Sequence, residues 1–349
     1  MRWKHRPPGS NWGDFGPHDQ RGRMNWVTRE KVLQGIAEVQ EGISFPLSLP
    51  LDYPGGSALN PRRRPPRLAA TVRDGNSAGK QNFCFPLAED NPDLTDVVSD
   101  DVALLTLQYS TQWDSFAHVG SRFDADGDGK REIVFYNGFR AGEHVLPALS
   151  NSNPESWAKY EGTEAKALGI QNLAEHGAQG RGVLIDLHAH FGRAHRAVTY
   201  DELMMVMEKD RVPVEKGDMV CLYTGFADVI LEMKKQPDAK LLHQSCTGLD
   251  GRDERLLQWI SDCGLAALIA DNYAVEIIPA SLGKPRPNAL MPLHEHCLFK
   301  NGIHLGEMWY LTELARWLRG RSRSRFLLTA PPLRLPGAVG SPVTPVATV

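Results

Sequence analysis

Between Gln108 and His118 the chain reads Gln-Tyr-Ser-Thr-Gln-Trp-Asp-Ser-Phe-Ala-His. Two amides, one carboxylate and one imidazole fall in this short stretch. The apolar run Val102-Ala103-Leu104-Leu105-Thr106-Leu107 precedes it and reads as a strand that delivers Gln108, Gln112, Asp114 and His118 to one place. A carboxylate can hold a divalent ion, and a neutral amide can orient a carbonyl or a water. An imidazole, with an ordinary pKa near 6.5, can move protons at neutral pH. The plainer alternative is that His118 is a hydrogen-bonded core residue. Trp113 and Phe116 read either as an aromatic wall beside a substrate or as core filling.

Three further clusters could do chemistry. Asp124, Asp126 and Asp128, followed by Gly129, have the spacing that opens a calcium loop. Position 12 of that loop is Phe135, so the bidentate glutamate of an EF-hand is missing, and a solvated acidic turn is the alternative. His188-Ala189-His190 ends an apolar run, which on a strand puts both rings on one face. His294-Glu295-His296 poses the same question near the other end of the chain.

These residues need elements to hold them. Thr28 can cap a helix in which Val32, Ile36 and Val39 recur, with Gly42 at its end. Leu47, Leu49 and Leu51 alternate as a strand would. Residues 52–98, rich in Pro, Gly and Arg, read as a long surface excursion. Strands are expected at Val183–Leu187, Met219–Tyr223 and Leu265–Ala270. Thr199-Tyr200-Asp201-Glu202 is a capping box that opens a helix. Glu254–Cys263 is amphipathic, and Leu311, Leu314, Ala315 and Leu318 form an apolar helix face. The pattern is α/β without internal repeats. It has too few regular βα units for a TIM barrel and no Gly-x-Gly-x-x-Gly turn.

The chain has 349 residues, is 42% hydrophobic and 23% charged, and carries a net charge of -3. That composition suits a soluble globular protein and gives no general attraction to nucleic acid. Arg62-Arg63-Arg64 and the basic stretch Arg319–Arg325 read as solvated loops or subunit contacts, because they lack interleaved aromatics. Cys84, Cys221, Cys246, Cys263 and Cys297 are scattered and odd in number, which fits a reduced, cytoplasmic setting. No apolar run is long enough for a bilayer, and no secretory leader is visible.

The stretch Gln108–His118 resembles a degenerate form of the His-x-Gly-Thr-His-x-Asp-x-Pro-x-His signature of the cyclase family, which includes bacterial kynurenine formamidases and isatin hydrolases. Ser110-Thr111 stands for Gly-Thr, Gln108 and Gln112 for the first two histidines, Phe116 for the proline and His118 for the last histidine. Trp12–Gly16 with Gly22–Thr28, Gly217–Gly225, Leu293-His294 with Gly302–Glu307, and Phe326–Leu333 ending in Gly340–Val343 resemble further motifs in the family's order. The resemblance implies a single compact α/β domain over 1–349 with mixed or antiparallel sheets. Residues 1–27, rich in Gly, Trp and charge with little periodicity, read as an irregular arm that would suit exchange between subunits of a homo-oligomer, a dimer or tetramer. It implies zinc or manganese on Asp114, His294 and Glu307, with His118 beside the metal for proton transfer. Gln108 and Gln112 would bind substrate or complete the shell, and one ion would remain where the family holds two. The expected activity is hydrolysis of an amide, lactam or lactone of a small molecule. The alternatives are ring closure or dehydration by the same groups, metal-free catalysis, and a ligand-binding homologue without metal.

Overall fold

The computed structural model describes residues 1–73, 79–147, 164–280 and 288–349. Its centre is a nine-stranded mixed sheet. In chain order the strands are β1 (Ser44–Pro46), β2 (Gln112–Asp114), β3 (Gln179–Asp186), β4 (Met219–Tyr223), β5 (Ala267–Ala270), β6 (His304–Glu307), β7 (Arg325–Thr329), β8 (Gly340–Pro342) and β9 (Val346–Thr348). Their order across the sheet is β1-β9-β7-β3-β4-β5-β6-β2-β8. The run β3-β4-β5-β6 is parallel, and every other pairing is antiparallel.

The parallel strands are apolar on both faces, as strands covered on both sides must be. Val183, Ile185, Val220, Leu222, Leu268 and Leu305 face the helices Tyr200–Asp210 and Glu254–Asp262. Leu184, Met219, Cys221 and Ile269 face the other way, onto Trp113, Trp309 and the helix Thr312–Arg319. The helix starts follow the expected chemistry. The Thr28 side chain accepts from Lys31 N–H, and Thr199 with Glu202 closes a capping box.

Three expectations about elements change. The strand that delivers the reactive residues is β2, not the run Val102–Leu107. Asp101–Leu104 instead pairs with Arg67–Ala70 out on the excursion, where both strands are largely exposed. Of the three alternating leucines, Leu47 and Leu49 are buried but lie beyond the end of β1, and Leu51 is exposed. His188 and His190 lie in a one-turn helix, Leu187–Phe191, rather than on a strand, because Asp186 caps the Ala189 N–H and ends β3.

The arm at 1–27 packs on its own chain. The Trp12 indole donates to the Phe299 carbonyl at 2.7 Å, and the Arg23 guanidinium donates to the carbonyls of Ile260 and Ser261. Gly22 has φ +54°, and a Cβ there would fall 2.0 Å from the Gly302 carbonyl oxygen, so only glycine fits the crossing.

The helix Arg29–Ala37 is tied to the sheet by a buried charge cluster. Asp218 accepts from Lys31 Nζ at 3.1 Å and from Arg181 Nε at 2.9 Å, and Glu215 reaches Arg181 at 2.6 Å. Replacing Asp218 with Ala leaves two buried cations short of a partner. The expected cost is about 3–5 kcal/mol. It is read as a lower urea midpoint at unchanged slope, and a midpoint that does not move would contradict this account of the cluster.

Candidate metal centre

The site is built by the pairing of β2 with β6. Gln112 sits opposite Glu307, and Asp114 opposite Leu305. Alternation along a strand then puts Gln112, Asp114 and Glu307 on one face. Trp113 and Gly306 point to the other face. A Cβ at Gly306 would lie 2.9 Å from the Trp309 indole nitrogen, so that face has no room for a larger residue. Trp113 is fully buried there, with its indole N–H on the Ala330 carbonyl and its ring edge-on to Trp309. Phe116 is also fully buried, stacked on His304 at 4.0 Å between ring centres. Neither borders the cavity described below, so the expected aromatic wall of Trp113 and Phe116 is core.

His294 comes from the short helix Pro292–His294, which runs on into a π-helical turn, Glu295–Lys300. It brings an imidazole over the carboxylates of β2 and β6. One ligand atom from each of Asp114, His294 and Glu307 lies within 4.8 Å of the others. Three atoms so close can surround a divalent ion, whose bonds to such ligands run about 2.0–2.6 Å. All three residues are buried. His294 Nε2 lies 3.1 Å from Glu307 Oε1.

The hydrogen bonds around this triad leave room for a cation. Gln112 Nε2 donates to Glu307 Oε2 at 2.8 Å and to Asp114 Oδ1 at 3.3 Å. The amide therefore braces the two carboxylates as a donor. Asp114 Oδ2 and Gln112 Oε1 are buried and have no hydrogen-bond partner among the described residues. A buried carboxylate oxygen left unpaired is costly, and an ion is one way to satisfy it. Two carboxylates and one imidazole form a donor set that suits zinc or manganese.

The electrostatics agree. Burial raises the pKa of Asp114, His118 opposes the rise, and the nearby Glu307 carboxylate adds to it. Burial alone would strip the proton from His294. Its hydrogen bonds to Glu276 and Glu307 outweigh that and push its pKa up to about 10. A cation between the three would relieve both effects, favouring ionised carboxylates and a free imidazole lone pair.

Glu276 was not singled out from sequence. Its Oε1 lies 2.8 Å from His294 Nδ1 and also accepts the His294 backbone N–H, while Oε2 takes the Leu293 N–H. It thereby fixes the ring so that Nε2 faces the carboxylates, the usual role of a carboxylate behind a ligating histidine. The sequence did carry a signal. Asp271, Asn272 and Glu276 follow the wholly apolar β5, and the carboxyl ends of parallel strands are where sites gather. His304 supports β2 in a similar way. Burial lowers its pKa to about 4, so it is neutral, and its Nδ1–H donates to the Asp114 carbonyl at 2.8 Å.

A cavity of about 770 Å³ opens over the triad. His294, Glu307, His118 and Gln108 border it, with Tyr109 and Tyr273 on its walls. His118 Nε2 stands 3.9 Å from Asp114 Oδ1, beyond hydrogen-bond reach but within reach of one intervening water. Burial lowers the pKa of His118, and Asp114 pulls the other way. Arg62 and Arg63, read from sequence as solvated or as subunit contacts, line this cavity, Arg62 exposed and Arg63 half-buried, because the excursion returns to it.

The remaining candidates lie elsewhere. His296 faces Ser261 Oγ at 3.0 Å, away from the triad. His190 pairs with Asp210, and His188 packs near Tyr223. Asp124, Asp126 and Asp128 do approach one another within 4.8 Å. Asp124 is occupied by the amides of Gly127, Asp128 and Gly129, and Arg140 lies 3.7 Å from Asp126.

Comparison with known proteins gives the chain a family and a shared fold. The Cyclase family model matches residues 47–277. A crystal structure described as a novel cyclase is 29% identical and covers 97% of this chain and 99% of its own, with a TM-score of 0.71. Isatin hydrolase A from Ralstonia solanacearum shares the fold at 14% identity, covering 92% of this chain and 97% of its own, with a TM-score of 0.51. An isatin hydrolase bound to the product analogue thioisatinate gives 13% identity, 92% and 99% coverage, and a TM-score of 0.51. A search of curated proteins found no match. The family match spans β2 and Asp114, and the solved cyclase extends the likeness to nearly the whole chain. The chain belongs to the cyclase family.

Proposed function

We propose that this chain is a metal-dependent hydrolase that opens an amide, lactam or lactone bond of a small molecule. The observation that carries the reading is the meeting of Asp114, His294 and Glu307 beneath a cavity, with Asp114 Oδ2 buried and unpartnered. The fold shared with isatin hydrolases supports it. A divalent ion held by these three residues, zinc or manganese, would lower the pKa of a water and polarise the scissile carbonyl.

The chain supplies the rest. His118 lines the cavity and is kept neutral by burial, so its Nε2 can take a proton from the attacking water. The water oxygen bonds to the carbonyl carbon, the C–N or C–O bond breaks, and His118 returns the proton to the leaving atom. Gln108 offers its amide to the substrate from the cavity wall. Gln112 holds Asp114 and Glu307 in place, and Glu276 holds the His294 ring. Ring closure is the same step run backwards over the same groups.

Two measurements test these roles on any amide or lactone the protein turns over. His118→Ala should lower the turnover rate by roughly 10²–10⁴-fold. Metal content should stay as in the native chain, and full activity would remove His118 from the chemistry. Glu276→Ala keeps all three ligands but frees the His294 ring. Its metal affinity, measured by competition with a chelator, should fall about 10–100-fold. An unchanged affinity would show that Glu276 does not orient the ligand. Hydrolysis that survives complete removal of metal by a chelator would contradict the proposal as a whole.

A further inference from the structure

Among the described residues, the lining of the cavity is lopsided in charge. Its acidic side chain, Glu307, is already engaged by His294 and Gln112 at the floor. Among the described residues, the arginines that line it are Arg62 and Arg63, both from the excursion. Arg63 is half-buried. Its backbone N–H bonds to the Asn60 carbonyl, but among the described residues its guanidinium has no hydrogen bond or ion pair. Among the described residues, the Arg62 guanidinium reaches only the neutral Asn60 side chain, at 3.3 Å. Other arginines with little exposure are partnered: Arg181 by Asp218 and Glu215, Arg323 by Glu38, Arg140 by Glu132, and Arg23 by backbone carbonyls. An unpartnered, half-desolvated guanidinium over a cavity is a ready site for an anion. Its planar fork matches a carboxylate in particular. The walls between it and the floor are largely apolar, with Leu59, Val119, Ile278 and Leu290 beside the two tyrosine rings.

We infer that the substrate of this site is a small, apolar-bodied compound that carries a carboxylate, and that Arg63 selects it by pairing with that carboxylate at the mouth while the bond to be cleaved rests over Asp114, His294 and Glu307. This inference deepens the hydrolase reading and rests on it for the reaction, but the pairing itself needs no metal. Arg63 is a specificity residue here, and Arg62 a weaker helper at the exposed rim.

The test is binding, measured with and without metal. Three carboxylates, benzoate, phenylacetate and anthranilate, are compared by ligand-detected NMR with their primary amides, which match them in size but carry no charge. On the chelator-treated full chain, at least one carboxylate should bind roughly tenfold or more tightly than its amide, the scale of a charge-assisted pair. Arg63→Ala should erase that preference, and Arg63→Lys should restore part of it. The melting temperature of Arg63→Ala should match that of the native chain, since the guanidinium holds nothing in the fold. Equal binding of acids and amides, no binding of any acid, or a preference that survives Arg63→Ala would overturn the inference. A fall in melting temperature would assign Arg63 to stability instead. If the preference appears only in the metal-loaded chain and ignores Arg63, the carboxylate sits on the ion: the hydrolase reading then stands and this inference fails. If the preference depends on Arg63 in a chain that never binds metal, the reverse holds.

Discussion

Asp114 and Glu307 are two carboxylates held side by side, out of water, on neighbouring antiparallel strands. Like charges in that position repel strongly, because the interior screens them poorly. The arrangement around them meets that repulsion. Gln112 donates to both, His294 approaches from above, and Asp114 Oδ2 is left for a further positive partner. The β2-β6 register makes this possible. A slip of one residue would send Trp113 into the cavity and both Gln112 and Asp114 into the core.

The frame that enforces the register is apolar and bulky. Trp113 and Trp309 meet edge to face behind the site, and the Trp309 indole donates to the Gln112 carbonyl. Thr111, one residue before β2, accepts from Leu49 N–H and donates to the Met308 carbonyl, one residue after β6. These contacts fix the Gln112–Glu307 end of the strand pair. Rigid support of this kind lets a few side chains be held in a geometry they would not adopt alone.

Much of this was legible in the sequence, and the reasons are local. Caps at Thr28 and Thr199 and the apolar strands near 183, 219 and 267 follow from short-range rules, and the structure keeps them. The triad Asp114, His294 and Glu307 was reached through family motifs, because no local rule links residues so far apart in the chain. What was missed depends on tertiary contact. The run Val102–Leu107 has the composition of a buried strand, yet Asp101–Leu104 pairs out on the excursion. Trp113 and Phe116 lie beside reactive residues in sequence, but strand alternation and the stacking of Phe116 on His304 take them into the core. Arg63 reads as one more charge in a basic loop, and only the return of that loop over the cavity gives it a role. Glu276 needs the helix bearing His294 to be docked before it has anything to orient.

The central claim is that one divalent ion belongs between Asp114, His294 and Glu307. The most direct measurement is a crystal structure of protein purified without chelator, with diffraction recorded on both sides of the zinc and manganese absorption edges. The account predicts a single anomalous peak at this site, about 2.0–2.6 Å from an oxygen of Asp114, an oxygen of Glu307 and Nε2 of His294. Gln112 should still donate to the carboxylates rather than bind the ion. No peak there after soaking in either metal, or a pair of ions with Gln112 and Gln108 among their ligands, would contradict it.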